Sequence, residues 1–202
     1  IQRCCSGLIR DLDVGVVLGT GVVIHPGSCK EKEEGMKTIS KCIVHCLTCV
    51  TPSIKLYANK FGVKVDKVLK LRKVILENAA GEGTKIASTL EEIATIISYI
   101  PDNLKDQVKV CIDTAHAFGA GLYKWGSPKE VKRFYSDFER IIGIKYLELF
   151  HLNDSKKSEK KSMNAPFGSR KDRHENLGLG YIFESKNEGL KEFFFQAKKH
   201  GI

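Results

Sequence analysis

Four short runs of aliphatic and β-branched residues, at residues 21–25, 74–77, 108–113 and 144–152, alternate with stretches of helical periodicity along this chain of 202 residues. Val, Ile and Leu follow one another in these runs almost without polar alternation, which marks strands buried on both faces. Strands of that kind separated by helices pair in parallel, because the crossover that returns the chain needs a helix. The runs end, or nearly end, on His25, Glu77, Asp113 and His151. Each interval between them is long enough for one helix and its two connections. That rhythm suits successive βα units of a (β/α)8 barrel, and the expected class is α/β with a TIM-type barrel. No Pro/Ser-rich linker interrupts the rhythm, so residues 1–202 are read as one domain.

The helical stretches carry their own punctuation. A periodic segment reaches about Leu18, and a second opens near Glu31 with Met36, Ile39, Ile43, Cys46, Leu47 and Val50 on one face. Residues 51–73 are basic and ambiguous. Ser88 with Glu91 predicts a capping box for a helix that stops before Pro101. Ser127, Pro128 and Glu130 predict another, closed by Gly143. Residues 153–180 form a long polar loop, a length that in a compact domain signals function. The longest apolar stretch, residues 14–24, is interrupted by Gly15, Gly19, Thr20 and Gly21 and is too short to span a bilayer. Seven cysteines at irregular spacing do not make a secreted disulfide framework and point to a reducing, intracellular setting.

In a barrel all strand C-termini open on one mouth, so His25, Glu77, Asp113 and His151 are expected to converge there. Imidazole mixed with carboxylate suits Zn²⁺, Mn²⁺ or Fe²⁺ better than Ca²⁺ or Mg²⁺, which favour oxygen cages. His116 follows Asp113 by one helical turn, and Asp172 and His174 lie in the long loop. Seven such side chains exceed the needs of one tetrahedral ion and imply a multinuclear site of the sort that clamps a transferring phosphoryl group. His45 and His200 are read as surface residues. Cys42, Cys46 and Cys49 are read as helix core filler rather than an iron–sulfur cradle. Gly81 and Gly83 lack the partners of a phosphate loop. With 33 Lys+Arg against 24 Asp+Glu, a net charge of +9 and a pI near 9.1, the chain has the electrostatic footprint of a DNA-binding domain. Lys156, Lys157, Lys160, Lys161, Arg170, Lys171 and Arg173 crowd the loop that carries two ligand candidates, which brings phosphate contacts to the mouth.

The segments IHPGS, VILENAAGEG, VCIDTAHAFGAG, HLNDSK and GSRKDRHENLGLG, in this order, closely resemble the endonuclease IV class of apurinic/apyrimidinic endonucleases, from about Leu8 to the last residue. The resemblance implies a TIM barrel with three zinc ions and cleavage of DNA 5′ to an abasic site, leaving a 3′-hydroxyl and a 5′-deoxyribose phosphate. It implies that His25 binds the first zinc, that Glu77 bridges the first and second, that Asp113 and His151 bind the second, and that His116, Asp172 and His174 bind the third. Glu77, Asp113 and His151 are then the catalytic set, and Arg170, Lys171 and Arg173 the DNA contacts. Mn²⁺ or Fe²⁺ are possible substitutes for Zn²⁺. The family takes one further His and one further Glu from strands that this chain lacks.

What remains corresponds to the central and late units of a barrel that typically has ~250 residues. An Ile at position 1 and a final helix with its Gly stop likewise predict truncation at both ends, with weak or no activity in this piece. Residues 51–73 read as an insertion. The implied partner is double-stranded DNA with abasic sites, bound by a monomer with no membrane partner. The implied location is the nucleus or cytoplasm, or an organelle reached by a leader outside this sequence. Two other readings stay open: a xylose-isomerase-like, metal-dependent sugar isomerase or epimerase, and a non-catalytic DNA-binding remnant.

Overall fold

The computed structural model describes residues 2–183 and 188–202. In chain order its elements are α1 (Gln2–Leu18), β1 (Val22–Ile24), α2 (Lys32–Thr48), α3 (Pro52–Phe61), α4 (Val65–Leu69), β2 (Val74–Glu77), α5 (Leu90–Ser98), β3 (Val108–Asp113), α6 (Thr114–Gly119), α7 (Pro128–Ile141), β4 (Leu147–His151), β5 (Asp154–Ser155), β6 (His174–Glu175) and α8 (Glu188–His200). Short 3₁₀ turns at Asp102–Gln107 and Ile144–Tyr146 lead into β3 and β4. The first four strands form one parallel sheet in sequence order β1-β2-β3-β4, the order of consecutive barrel strands. Val22 pairs with Val74, Val74 with Val108, and Val110 with Leu147. This is the parallel α/β arrangement expected of an incomplete TIM barrel.

Strand alternation divides the sheet's two faces. Val74, Leu76, Val108, Val110 and Ile112 join Met36, Ile43 and Leu47 of α2 and Ile93, Ile96 and Ile97 of α5 in the main core. Ile75, Glu77, Cys111 and Asp113 occupy the other, inner face. Behind β3 and β4 an aromatic cluster closes the core, with fully buried Trp125 packed on Tyr123, Phe134 and Phe193. The Trp125 indole N–H donates to the Thr114 carbonyl at 3.0 Å, which ties this cluster to the start of α6. A Cβ at Gly189 would fall 1.9 Å from the Trp125 carbonyl oxygen, so α8 reaches the cluster only because it has none there.

Local predictions were met with shifts. The helix after the Gly-rich turn is capped one residue later than the sequence suggested: Thr89 Oγ1 accepts from the Glu92 N–H at 3.2 Å, and the Glu92 carboxylate accepts from the Ser88 N–H at 2.8 Å. The segment STLEE satisfies the spacing twice, and the later frame turns Leu90, Ile93, Ile96 and Ile97 all into the core. Ser127 caps α7 as expected, while Glu130 pairs with Arg133 instead of closing the box. α2 ends at Thr48, so Cys49 is its C-cap and Val50 is exposed outside it. Of the three cysteines read as core filler within the helix, Cys46 is fully buried and Cys42 partly so, whereas Cys49, at the cap, is only partly buried and lies outside α2.

Residues 51–73 resolve into α3 and α4. Thr51 caps α3, Pro52 occupies its first turn, and Gly62 ends it with φ 62°. Ile54, Ala58 and Val68 bury a small core against Val16 of α1. Arg72 fixes this unit. Its guanidinium is wholly buried, pairs with Asp13 at 2.5 Å, and donates to the carbonyls of Cys46 and Cys49 at 2.7 Å. Asp13 also accepts from the Thr51 hydroxyl at 2.6 Å, so α1, the end of α2 and the start of α3 meet at one ion pair. Among the described residues no helix is long and apolar enough to cross a membrane.

Removing one partner of a buried ion pair leaves the other unsolvated, so Arg72→Ala should destabilise the fold by about 3–5 kcal/mol. Denaturant unfolding followed by circular dichroism measures this, and a loss under about 1 kcal/mol would show that the pair is relieved by water.

Candidate metal centre

Parallel pairing brings the four strand ends to one edge. Asp113 is the register partner of His151, Glu77 is the partner of Cys111, and His25 follows Ile24, the partner of Leu76. Glu77 is the hub: its carboxylate lies 2.9 Å from His151 Nδ1, 3.5 Å from His25 Nε2 and 3.6 Å from His116 Nδ1. The loop ligands complete the mouth. Asp172 Oδ1 lies 3.3 Å from His116 Nε2 and 3.2 Å from His174 Nε2, and His174 Nε2 lies 3.6 Å from Asp113. All seven side chains singled out in the sequence therefore meet in one place. Three groups bring one ligand atom from each member within 4.8 Å of the others: His25, Glu77 and His116; Glu77, Cys111 and His151; Asp113, His116 and His174. Glu77, Asp113 and His116 are buried, whereas His25 and His174 reach the surface, so the centre opens outward.

Residues around the ligands hold them in place. Asn78 is buried, accepts from the Asp113 N–H at 2.7 Å and donates to the Asp113 carbonyl at 3.2 Å, which clamps the end of β3. Its own carbonyl lies 2.8 Å from His116 Nδ1. With Nδ1 as donor, Nε2 of His116 is left to face Asp172 and His174. Asp113 divides its two oxygens: Oδ1 caps α6 by accepting from the His116 N–H at 2.9 Å, and Oδ2 accepts from Asn153 at 2.6 Å.

The polar loop returns through the β5–β6 ribbon, in which Ser155 pairs with His174. Asp154, wholly buried, organises it. Its two oxygens accept backbone N–H groups from Ser155, Gly178, Gly180, Ile182 and Phe183. Such a carboxylate does the work of a core that this Gly-rich loop cannot build.

The basic residues of the loop divide. Arg170, held in the left-handed region at φ 53°, is exposed, and its N–H donates to the Gly119 carbonyl at 2.9 Å. Arg173 is exposed and donates to the Asp172 carbonyl. Lys171 instead turns inward to the carbonyls of Lys161 and Asn164, at 3.0 and 3.1 Å. His45 is exposed, as expected, and His200 stacks on Tyr135.

Charge is unevenly held in the mouth. Hydrogen bonds from His116 and His174 hold the Asp172 carboxyl well below the usual carboxylate range. Burial opposes a charge on His116, yet its hydrogen bond to Asp172 and the charges of Asp113 and Asp172 outweigh this and push it up to about 9. The Asp172 hydrogen bond likewise raises His174. Burial, followed by the Glu77 charge, pushes the Cys111 thiol up to about 12. The donor set of imidazole and carboxylate, converging with unsated charge, fits a divalent transition metal.

Cys111, Asn78 and Asp154 were not singled out in the sequence. Cys111 could have been found from strand alternation, since it stands two residues before Asp113. Asn78 and Asp154 lie in the quoted segments VILENAAGEG and HLNDSK, but their roles depend on backbone that is mostly distant in the chain.

With this geometry in view, the chain belongs to the xylose isomerase-like TIM barrel family, whose family model matches residues 4–202. Among solved structures it is similar to endonuclease IV from Thermus thermophilus, with a TM-score of 0.68 and 26% identity over 98% of this chain and 59% of that one. The chain thus spans less than two thirds of that relative's length. Its fold is shared with AsfvAP in the AsfvAP:AG crystal structure, with a TM-score of 0.52 and 22% identity over 99% of this chain and 70% of that one. A D-tagatose 3-epimerase-like protein also shares it, with a TM-score of 0.56 and 18% identity over 96% and 57%.

Two outcomes follow for the centre. A metal entering beside His116 must displace the proton that this residue holds up to about 9. Zinc affinity, measured by competition with a chromophoric chelator, should therefore climb with pH from neutrality and level off above about 9; a flat profile would place the ligands elsewhere. Asp154→Asn removes the charge that collects the loop's N–H groups. It should loosen zinc in the group of His116, Asp172 and His174 by about 10- to 100-fold, the usual cost of losing an outer support. Unchanged zinc affinity in this variant would show that the loop is ordered without Asp154.

Proposed function

We propose that this chain is the ligand-bearing part of a DNA-repair endonuclease of the endonuclease IV class, hydrolysing the phosphodiester 5′ to an abasic site at a centre of three zinc ions. The observation that carries this reading is the convergence of His25, Glu77, Asp113, His116, His151, Asp172 and His174 in one mouth, where six of them fall in three overlapping groups of candidate ligands and Asp172 lies against His116 and His174. The basic loop stands on the rim of the same mouth. The family and the likeness to Thermus endonuclease IV support it.

Zinc held by these groups would supply a nucleophilic water at neutral pH and neutralise charge on the phosphate oxygens. The chain's own residues set the geometry. Glu77 belongs to two groups at once and so would be shared between two metal positions. Asp113 and His151, register partners across β3 and β4, would serve the second position, and His25 the first. His116, Asp172 and His174 would hold the third. Arg170 and Arg173 are free of acidic partners among the described residues and face solvent, placed to take the phosphates that flank the scissile bond. Lys171 is engaged with the carbonyls of its own loop and keeps its charge beside them.

The test is incision of a duplex with one abasic site by the zinc-loaded chain. A slow break 5′ to the site, leaving a 3′-hydroxyl that a polymerase extends, is expected. Glu77→Ala should lower it by several factors of ten, since loss of a shared carboxylate removes several kcal/mol of charge stabilisation. Incision undiminished in Glu77→Ala would contradict the assignment. Epimerisation of a ketose without incision would select the sugar-enzyme reading, and salt-sensitive DNA binding without incision the remnant.

A further inference from the structure

We propose that Glu82, on the Gly-rich turn after β2, is a positioning residue for the mouth: its carboxylate holds the main chain of Asp172 and so sets where Asp172 and His174 meet His116. The inference rests on the reading of the mouth as a metal centre.

Gly81 and Gly83 lack the partners of a phosphate loop, and the fold gives their turn a different task. The turn is fixed before it reaches the polar loop. The Ala79 N–H donates to the Ala87 carbonyl at 2.9 Å, which closes the turn on itself. The segment after β1 is tied to it as well, with Cys29 N–H on the Thr84 carbonyl at 2.9 Å and Ile86 N–H on the Gly27 carbonyl at 3.1 Å. Gly81 and Gly83, at φ 83° and 51°, flank Glu82 and leave its side chain alone between them. Glu82 Oε1 accepts from the Asp172 N–H at 3.2 Å, and Oε2 lies 3.4 Å from Lys85 Nζ of the same turn, which aims the carboxylate.

Other segments seat the neighbours of Asp172. The Arg170 N–H donates to the Gly119 carbonyl, and a Cβ at Gly119 would fall 3.0 Å from the Lys171 carbonyl oxygen, so the loop lies directly on the end of α6. Beyond the ligand, the Arg173 carbonyl accepts from the Lys156 N–H at 2.9 Å. Asp172 falls between these two anchorages, and Glu82 ties it to the turn that follows Glu77. Its Oδ1 must stand 3.3 Å from His116 Nε2 and 3.2 Å from His174 Nε2, a placement that depends on where the main chain is held. A neutral amide oxygen can accept the same N–H, so the role belongs to the acceptor and not to its negative charge.

Isotope-labelled full chain followed by nitrogen NMR tests both halves. In the metal-free protein the Asp172 amide should be protected from hydrogen exchange, keep that protection in Glu82→Gln, and lose it by about tenfold in Glu82→Ala. Zinc is then titrated, with the ring nitrogens of His174 reporting the position beside Asp172 and those of His25 the position beside Glu77. In Glu82→Ala the His174 shift should require on the order of tenfold more free zinc while the His25 shift stays in place, and Glu82→Gln should restore most of the loss. Equal weakening at His25 and His174, Glu82→Gln as weak as Glu82→Ala, or unchanged zinc binding at His174 in Glu82→Ala would each overturn the inference and leave the metal centre standing. Absence of a zinc-dependent shift at either histidine of the unaltered chain overturns both.

Discussion

Parallel pairing in sequence order is the constraint from which the rest of this molecule follows. Because β1 to β4 run the same way and lie side by side, their C-terminal ends share one edge, and whatever residue ends each strand is delivered there. The helices serve this arrangement from outside, burying the outer face of the sheet against α2 and α5. The inner face is then left for chemistry. Strand ends are rigid, and the charged groups they carry are partly withdrawn from water, so each carboxylate there must find a cation, an imidazole or a backbone donor.

Glu77 shows how that requirement shapes the mouth. Buried on β2, it gathers His151, His25 and His116 within 3.6 Å. Asp172 does the same from the loop for His116 and His174. The Asp172 carboxylate favours protons on His116 and His174, which is why both are raised. The same geometry that traps protons there suits a divalent cation, since both compete for the same nitrogens. Around this layer sits a second set of contacts made to backbone: Asn78 on the end of β3 and Asp154 on five N–H groups of the return loop.

Strand positions and the four strand-terminal candidate ligands were legible in the sequence because both depend on local pattern: an unbroken apolar run and the polar residue that stops it. His116, Asp172 and His174 were legible through the resemblance and through chemistry concentrated in a loop too long to be slack. Other features depend on partners far away in the chain. Asp154 reads locally as a loop residue, and only the return of residues 178–183 gives it its role. Cys111 reads as strand filler until Glu77 is seen beside it. The capping frame of α5 slipped by one residue because two overlapping boxes satisfy the same spacing, and only burial of Leu90 and Ile93 chooses between them. In residues 51–73 short helices with few buried positions left little periodicity to detect, although Arg72 became the anchor of that unit.

Anomalous diffraction at the zinc edge from crystals of the zinc-loaded chain tests the central claim most directly. The account predicts separate peaks a few ångströms apart: one beside His25 and Glu77, one beside Glu77, Asp113 and His151, and one among His116, Asp172 and His174. A mouth with no anomalous density, or a lone peak outside these side chains, would contradict it.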